Sequence, residues 1–426
     1  MHTTDDLKQE AGDFIRQVVA GDFTSACRLF DSNMAQAMPE ARLKETWLQL
    51  VSQAGPFQKI LASQAAERQG NRIITISCQF EKSPMDIRVV FNQSGQIAGL
   101  NVQFTPATTP YNPPAYVHAG AFHEVEVTVG SGEWALPGTL SLPHGAGPIP
   151  GVVLVHGSGP QDRDETIGPN RPFRDLAWGL ASQGIAVLRY EKRTKAHAAQ
   201  ITPELRITMT VQEEVIDDAL SAVRLLRHTP GIDPGRIYVL GHSLGATLAP
   251  RIGQQDPSLA GLIVMAGMTR PLEDTILDQY TYLYNLSGAM NDGQKAELEQ
   301  LKAKVARVKD PNLSGQVPAK DLPLDVPAAY WLALRGYQPA EVAKSLGMRI
   351  FVLQAGRDYQ VTTEGDFPAW QSALGEKSSA ALKVYPRLFH LFIAGEGPST
   401  TPQEYLVEGH VSEEVIHDIA RWIKNK

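Results

Sequence analysis

Residues 236–250 read RIYVLGHSLGATLAP, and the centre of that run, Gly241-His242-Ser243-Leu244-Gly245, has the spacing of a serine nucleophile. An apolar, β-like stretch at 237–240 runs straight into Gly-x-Ser-x-Gly, and an Ala/Leu-rich helical stretch follows. A tight strand-to-helix turn of this kind holds the hydroxyl clear of a sheet. Glycines two residues away on each side relieve the crowding, and the new helix aims its N–H groups at the reaction centre. Ser243 is the candidate nucleophile.

A serine hydroxyl reacts only when a base removes its proton, and the base needs a third group to orient it. In an open parallel sheet such groups sit just past the C-terminal ends of strands. The strand-like RIFVLQ is followed by Ala355-Gly356-Arg357-Asp358, which puts Asp358 in the loop leaving that strand. Glu364 and Asp366 lie further on, where a carboxylate serves the start of a helix. Three histidines follow. His417 shares the polar side of the last helix with Glu413, Glu414 and Arg421, and His410 precedes Ser412, an N-cap candidate. His390 lies in Arg387-Leu388-Phe389-His390-Leu391-Phe392, directly after a strand and walled by apolar side chains, as a base working in a dry pocket requires. The order Ser243, Asp358, His390 is the chain order of α/β-hydrolases. For the oxyanion hole, the apolar run 152–155 ends in His156-Gly157-Ser158-Gly159-Pro160, so the N–H groups of Ser158 (Gly159 if the turn slips by one residue) and Leu244 are the candidate donors. His156 and His242 read as loop-shaping or packing residues.

These loops need a doubly wound, mostly parallel sheet. Strand patterns at 122–129, 152–155, 185–189, 237–240, 262–265, 350–353 and 382–385 mostly alternate with helical stretches, and several are apolar throughout, as in strands covered on both faces. The tail helix at 413–423 carries Val415, Ile416, Ile419, Trp422 and Ile423 on one stripe. The roughly 80 residues between the strands at 262 and 350 exceed any ordinary connection. A helical cap over about 268–346 is expected there, with Tyr280, Tyr284, Tyr330 and Trp331 as candidate substrate contacts.

Residues 1–105 form a separate α+β pattern. Helical periodicity through Phe14, Ile15, Val18 and Val19, then Leu43, Trp47, Leu50 and Val51, precedes β-like runs at 72–80 and 86–91 and a third after Asn92-Gln93-Ser94-Gly95. The 80s runs join at Glu81-Lys82-Ser83-Pro84. Residues 106–119 are proline-rich and read as a semi-rigid linker to a catalytic domain at 120–426. Cys78 alternates with Ile74, Ile76 and Phe80 and, like Cys27, reads as a buried thiol.

With 426 residues, 43% hydrophobic and 20% charged, the composition is that of an ordinary globular protein. A net charge of −7 argues against a nucleic-acid partner. The short cluster Glu191-Lys192-Arg193-Thr194-Lys195 reads as a solvated loop. No apolar run reaches the ~18 residues of a membrane span. The chain opens on MHTTDDLKQE without an apolar leader, which fits a cytoplasmic protein if the chain is full length and a secreted or periplasmic one if a leader has been removed. No metal or nucleotide motif is present, so no metal and no cofactor are expected.

From about residue 120 the chain resembles bacterial carboxylesterases of the α/β-hydrolase superfamily, in a subgroup with an HGSGP-x-D-x-D loop, here His156 through Asp164. An R-Y-D-K-R-like segment is Arg189-Tyr190-Glu191-Lys192-Arg193, with Glu191 where Asp is usual. The Gly-His-Ser-Leu-Gly elbow, the G-x-x-D-Y-Q-V stretch from Gly356 to Val361 and the Tyr-Pro-x-x-x-His segment from Tyr385 to His390 also fit. Some members carry an N-terminal domain of unassigned function, which residues 1–105 resemble. The resemblance implies hydrolysis of short- to medium-chain carboxylic esters. A serine peptidase or a thioesterase uses the same residues, and a non-catalytic interaction protein can keep the same fold. A small-molecule ester is the expected partner, with self-association through the N-terminal domain as a further expectation.

Overall fold

The computed structural model describes residues 3–425, apart from 69–70, 82–83, 105–110, 146, 287 and 398–399. The chain divides into one compact unit of Met1–Tyr111 with Tyr405–Glu408 and a second of Asn112–Glu404 with Gly409–Lys426. Most of the proline-rich stretch before Tyr111 and the middle of the Glu81–Pro84 joint lie outside the described residues.

In the first unit, helix α1 (Thr4–Val19) starts at Thr3, whose hydroxyl accepts from Asp6 N–H while the Asp6 carboxylate accepts from Thr3 N–H. Helix α2 (Glu40–Ala54) follows two short helical turns. A four-stranded antiparallel sheet comes next, in the order β1 (Phe57–Arg68), β2 (Asn71–Phe80), β3 (Pro84–Phe91) and β4 (Ile97–Phe104). Leu7, Phe14, Ile15 and Val18 of α1 share a core with Ile74, Ile76, Cys78 and Phe80 of β2 and Ile87, Val89 and Phe91 of β3. Strand β1 is absent from the sequence reading. Its LASQAAER segment is made of helix formers, and as an edge strand with mostly exposed side chains it carries little alternation.

The second unit is built on an eight-stranded sheet. The strands are β5 (Phe122–Val129), β6 (Leu136–Pro143), β7 (Ile149–Val155), β8 (Ala186–Tyr190), β9 (Ile232–His242), β10 (Gly261–Met265), β11 (Arg349–Ala355) and β12 (Ala380–Tyr385). Their spatial order is β12-β11-β10-β9-β7-β8-β6-β5. Pairing is parallel from β12 to β8 and antiparallel at β8–β6 and β6–β5. Strand β6 escapes the sequence reading because Pro137, Gly138 and Pro143 break its pattern. Helices α3 (Pro172–Ala181), α4 (Asp217–Arg227), α5 (Leu244–Gln255), α10 (Phe367–Leu374) and α11 (Glu413–Lys424) cover the sheet. Between β10 and β11 the cap supplies α6 (Leu272–Asn285), α7 (Asp292–Lys309), α8 (Ala328–Leu334) and α9 (Pro339–Ser345).

The crossover reverses direction between β7 and β9, so their C-terminal ends border the crevice where doubly wound sheets bind ligands. Register brings those ends level: Val155 pairs with Gly241, His242 with Met265, and Ala355 with Tyr385. Among the described residues no helix is long and apolar enough to cross a membrane.

Ile416 of α11 is fully buried in the main core, and its side chain packs so closely on Gly179 of α3 that a β-carbon there would stand 2.9 Å away. Ile416→Ala leaves a cavity the backbone contact cannot close. A loss of about 2–5 kcal/mol is expected, read as a lower urea midpoint for the catalytic unit.

Candidate active site

The nucleophile candidate sits where β9 becomes α5. Ser243 has φ 54° and ψ −117°, a backbone conformation that a non-glycine residue holds only under constraint from its surroundings. The flanking glycines are required by contact. A β-carbon on Gly241 would collide with the Gly245 carbonyl, and one on Gly245 with the carbonyl oxygens of Val155 and His156. Strand β7, β9 and the first turn of α5 therefore approach more closely than any side chain allows. Ser243 N–H donates to Met265 O at 2.9 Å, which ties the turn to β10.

Asp358 follows β11 and His390 follows β12, and the structure brings them together. His390 Nδ1 lies 2.6 Å from Asp358 Oδ2, with both residues buried. The other carboxylate oxygen accepts the N–H groups of Gln360 (2.8 Å) and Val361 (3.1 Å), so the carboxylate is fixed by its own loop. The His390 loop is tied to the elbow through His242, whose Nε2 donates to the His390 carbonyl at 2.9 Å, and the two rings stand 4.7 Å apart. His410 and His417 lie elsewhere. His410 Nδ1 meets Asp175 at 3.0 Å, and His417 is exposed beside Glu413 on α11. Asp366 caps the entry to the cap, accepting from Thr269 N–H and Arg270 N–H.

The loop after β7 faces the elbow. A β-carbon on Gly157 would stand 3.2 Å from Cβ of Ser243, so a glycine is needed for that approach. Two buried charges hold this glycine's backbone. Its N–H donates to Glu165 Oε1 at 2.6 Å, and its carbonyl accepts from Lys192 Nζ at 2.8 Å. Glu165 Oε2 in turn lies 2.9 Å from His242 Nδ1. Glu165 is 1% exposed and holds φ 51°. Burial works against its charge, but His242 and the Gly157 N–H outweigh it and hold the carboxyl below the usual range. For His242, burial opposes protonation and the facing Glu165 carboxylate overcomes it, so the imidazole is raised.

Lys192 corrects the reading of 191–195 as a solvated loop. Lys192 is 2% exposed and pairs with Glu214 at 3.3 Å, and Arg193 pairs with Asp218 at 2.5 Å. Glu191 meets Arg163 of the HGSGP-x-D-x-D loop at 2.9 Å, while Asp164 of that loop holds the buried Arg189 at 2.8 Å.

Of the cap aromatics, only Trp331 is withdrawn from solvent, and the tyrosines have partners within the protein. Trp331 is 2% exposed in the cap's own core with Ile276, Leu301 and Val305, and its indole N–H donates to Val326 O. Tyr330 donates to Glu214 at 2.7 Å, Tyr284 to Glu297 at 2.7 Å, and Tyr280 packs edge-on against Tyr284. The Tyr330 and Tyr284 hydroxyls thus meet carboxylates, as partly buried phenols usually find an acceptor. Two tyrosines that the sequence reading did not single out as contacts do similar work: Tyr282 stacks on Tyr359 at 4.8 Å, beside Asp358, and Tyr337 donates to Thr247 O of α5 at 2.7 Å. An open cleft of about 440 Å³ lined by Arg251, Gln254, Arg335, Tyr337, Gln338 and Glu341 lies along the later turns of α5 and contains none of the candidate catalytic residues.

A parallel sheet with this strand order and a strained serine at its β9–α5 turn define an α/β-hydrolase. Residues 152–396, more than half of the chain, match the family described as "Serine aminopeptidase, S33", and residues 11–100 match a family of proteins of unknown function, DUF3887. The chain is 39% identical over 417 residues to Esterase EstD of Thermotoga maritima, covering 97% of this chain and 95% of that protein. Solved structures that resemble it include an esterase from Pyrococcus furiosus (17% identity, TM-score 0.46, 74% of this chain and 97% of that one) and an esterase from Pyrobaculum calidifontis (16%, 0.44, 71% and 85%). The chain belongs to the α/β-hydrolase carboxylesterases.

His156 supplies a pH prediction. It is 1% exposed between Phe173 (5.0 Å) and Tyr190 (5.3 Å), and burial pushes its imidazole down to about 4. The unfolded chain takes up that proton near pH 6.5, as an unperturbed histidine does. Between the two values the unfolded state binds more protons, so stability falls as the pH is lowered through this window, by up to about 3 kcal/mol. Urea unfolding from pH 7 to 4 is expected to have a shallower slope in His156→Phe than in the unmodified protein.

Proposed function

We propose that this carboxylesterase cleaves short- to medium-chain esters through an acyl-enzyme on Ser243. The observation that carries the reading is the buried 2.6 Å contact between His390 Nδ1 and Asp358, in a loop joined by the His390 carbonyl to the residue preceding Ser243. Asp358 holds the His390 tautomer in which Nε2 is the free base. His390 takes the Ser243 proton as the hydroxyl attacks the acyl carbonyl, and returns it to the leaving alcohol. Water, deprotonated by the same imidazole, then releases the acid and regenerates Ser243.

The tetrahedral oxyanion is held by backbone N–H groups of Leu244 and Ser158. Leu244 opens α5, so its N–H is among those a helix leaves without an internal partner. On the β7 side the Gly157 N–H is taken by Glu165, and the next N–H along the loop is that of Ser158. A small-molecule ester suits a crevice at the strand ends beneath a cap. The acyl-chain range follows the sequence resemblance and is set by experiment.

Ser243→Ala is expected to abolish hydrolysis of p-nitrophenyl butyrate and labelling by an organophosphate. Asp358→Asn is expected to lower kcat by about 10⁴-fold with little change in KM, because the amide selects the wrong tautomer. A p-nitrophenyl series from acetate to palmitate, run beside aminoacyl p-nitroanilides and acyl-CoA thioesters, gives the substrate class. Faster turnover of an anilide or a thioester than of every ester would replace the esterase reading with a peptidase or a thioesterase.

A further inference from the structure

We propose that Lys192 is a positioning residue for the oxyanion hole: its buried ammonium holds the Gly157 carbonyl so that the Ser158 N–H, at the other end of the same peptide, faces the alkoxide forming beside Ser243. This rests on the serine mechanism above and adds to it a residue that contacts no substrate.

A trans peptide is planar, and its C=O and N–H point in opposite directions. Fixing the oxygen of the Gly157–Ser158 peptide therefore fixes the direction of the Ser158 N–H. Lys192 Nζ donates to that oxygen at 2.8 Å. The preceding peptide is fixed independently, because Gly157 N–H donates to Glu165 at 2.6 Å. Gly157 has no side chain with which to hold itself, and its φ and ψ lie between these two clamped peptides. Every rotation that would turn the Ser158 N–H away must break a hydrogen bond to a buried charge. Such bonds are about twice as strong as those between neutral groups.

A neutral donor would hold the loop at a lower desolvation cost, since burying an ammonium is expensive unless it is paired. Lys192 is 2% exposed, and its compensation is specific: Glu214 Oε1 lies 3.3 Å away, and Glu214 Oε2 accepts from Tyr330 of the cap at 2.7 Å. Glu214 projects from a π-helical turn, Gln212–Ile216, leading into α4. Such turns are rare and are concentrated at functional sites. The positive charge also polarises the Gly157–Ser158 amide in the direction that makes its N–H a stronger donor. The aim of the oxyanion donor thus depends on a buried chain that runs from the cap to the loop.

The test uses the full-length enzyme, p-nitrophenyl butyrate and an alkyl trifluoromethyl ketone, whose serine adduct carries the tetrahedral oxyanion. Losing an oxyanion donor outright costs about 10²–10³ in kcat, and losing its support is expected to cost about 10–100-fold. Lys192→Met should therefore lower kcat by that factor with KM within threefold, and raise the ketone inhibition constant in parallel. Lys192→Arg should recover part of both. Should Lys192→Met fail to fold, Glu214→Gln keeps an acceptor for Tyr330 and loosens the ammonium together with the weaker Thr194 hydroxyl contact. It is expected to shift kcat and ketone affinity together by about threefold to tenfold, a smaller share of the same oxyanion stabilisation. Folded Lys192→Met or Glu214→Gln protein with both values within twofold of the parent overturns the proposal. Organophosphate labelling of the parent separates the two readings. No labelling at Ser243 removes the serine mechanism, whereas a labelled parent with unaffected variants removes only the role of Lys192.

Discussion

Four strand-end loops carry the site, and one buried pair, Glu165 and His242, links three of them. Glu165 Oε1 accepts from Gly157 on the loop after β7, and its other oxygen faces His242 on the elbow. His242 in turn donates to the carbonyl of His390 on the loop after β12. One ring nitrogen donates to a carbonyl and the other stands 2.9 Å from a carboxylate oxygen, an arrangement that favours the protonated ring beside the ionised acid. With both residues at or below 5% side-chain exposure, removing either partner strands a charge in low dielectric. In comparable buried pairs that costs about 3–5 kcal/mol. The pair thus ties the approach of the loops to a large electrostatic penalty. Backbone with φ between 51° and 57° recurs in these segments, at Glu165, Ser243, Ala266 and Phe392, and Ser243 and Ala266 directly follow β9 and β10.

The cap is fastened to the same loops by phenols. Tyr282 stacks beside the acid, Tyr337 reaches the helix that follows the nucleophile, and Tyr330 reaches the carboxylate that pairs with Lys192. Each anchor pairs a large apolar face, which buries well, with a hydroxyl that finds an acceptor. The cap has a core of its own, in which Trp331 packs with Ile276, Leu301 and Val305. A cap seated at three points beside the candidate site couples its position to that of these loops.

Much of the arrangement was legible in the sequence for a physical reason. Gly241 and Gly245, which frame Ser243, are dictated by contacts between backbones, and such contacts leave no room for a side chain. Asp358 and His390 follow apolar strands whose ends can be read from composition, so their place past those ends follows. What escaped reading was the support. Glu165 directly follows the recognised HGSGP-x-D-x-D loop, but its use depends on a left-handed backbone conformation that no local pattern announces. Lys192 looked solvated because a charged run is usually an exposed one. Its burial comes from Glu214, 22 positions away in the chain, and from a π-turn invisible to a 3.6-residue periodicity. The cap tyrosines were legible as unusual but not as struts, since whether a phenol meets a substrate or a carbonyl is decided by tertiary packing.

The same logic explains why buried charge accumulates around a site whose proposed reaction uses only three side chains. A strand-to-helix elbow and a facing loop approach within backbone contact only if the residues at the contact are glycines. A glycine loses more conformational freedom on ordering than any other residue and has no side chain of its own to fix its torsions. The alignment of these loops must then come from outside, through their N–H and C=O groups. Neutral partners give about 1 kcal/mol each, too little to hold a flexible turn against the roughly 1–2 kcal/mol of backbone entropy lost per residue. Charged partners give more, provided each charge is itself neutralised without water. Glu165 with His242, and Lys192 with Glu214, meet that condition on either side of Gly157. Close backbone approach at the nucleophile and paired charges behind the loop are two consequences of one steric requirement.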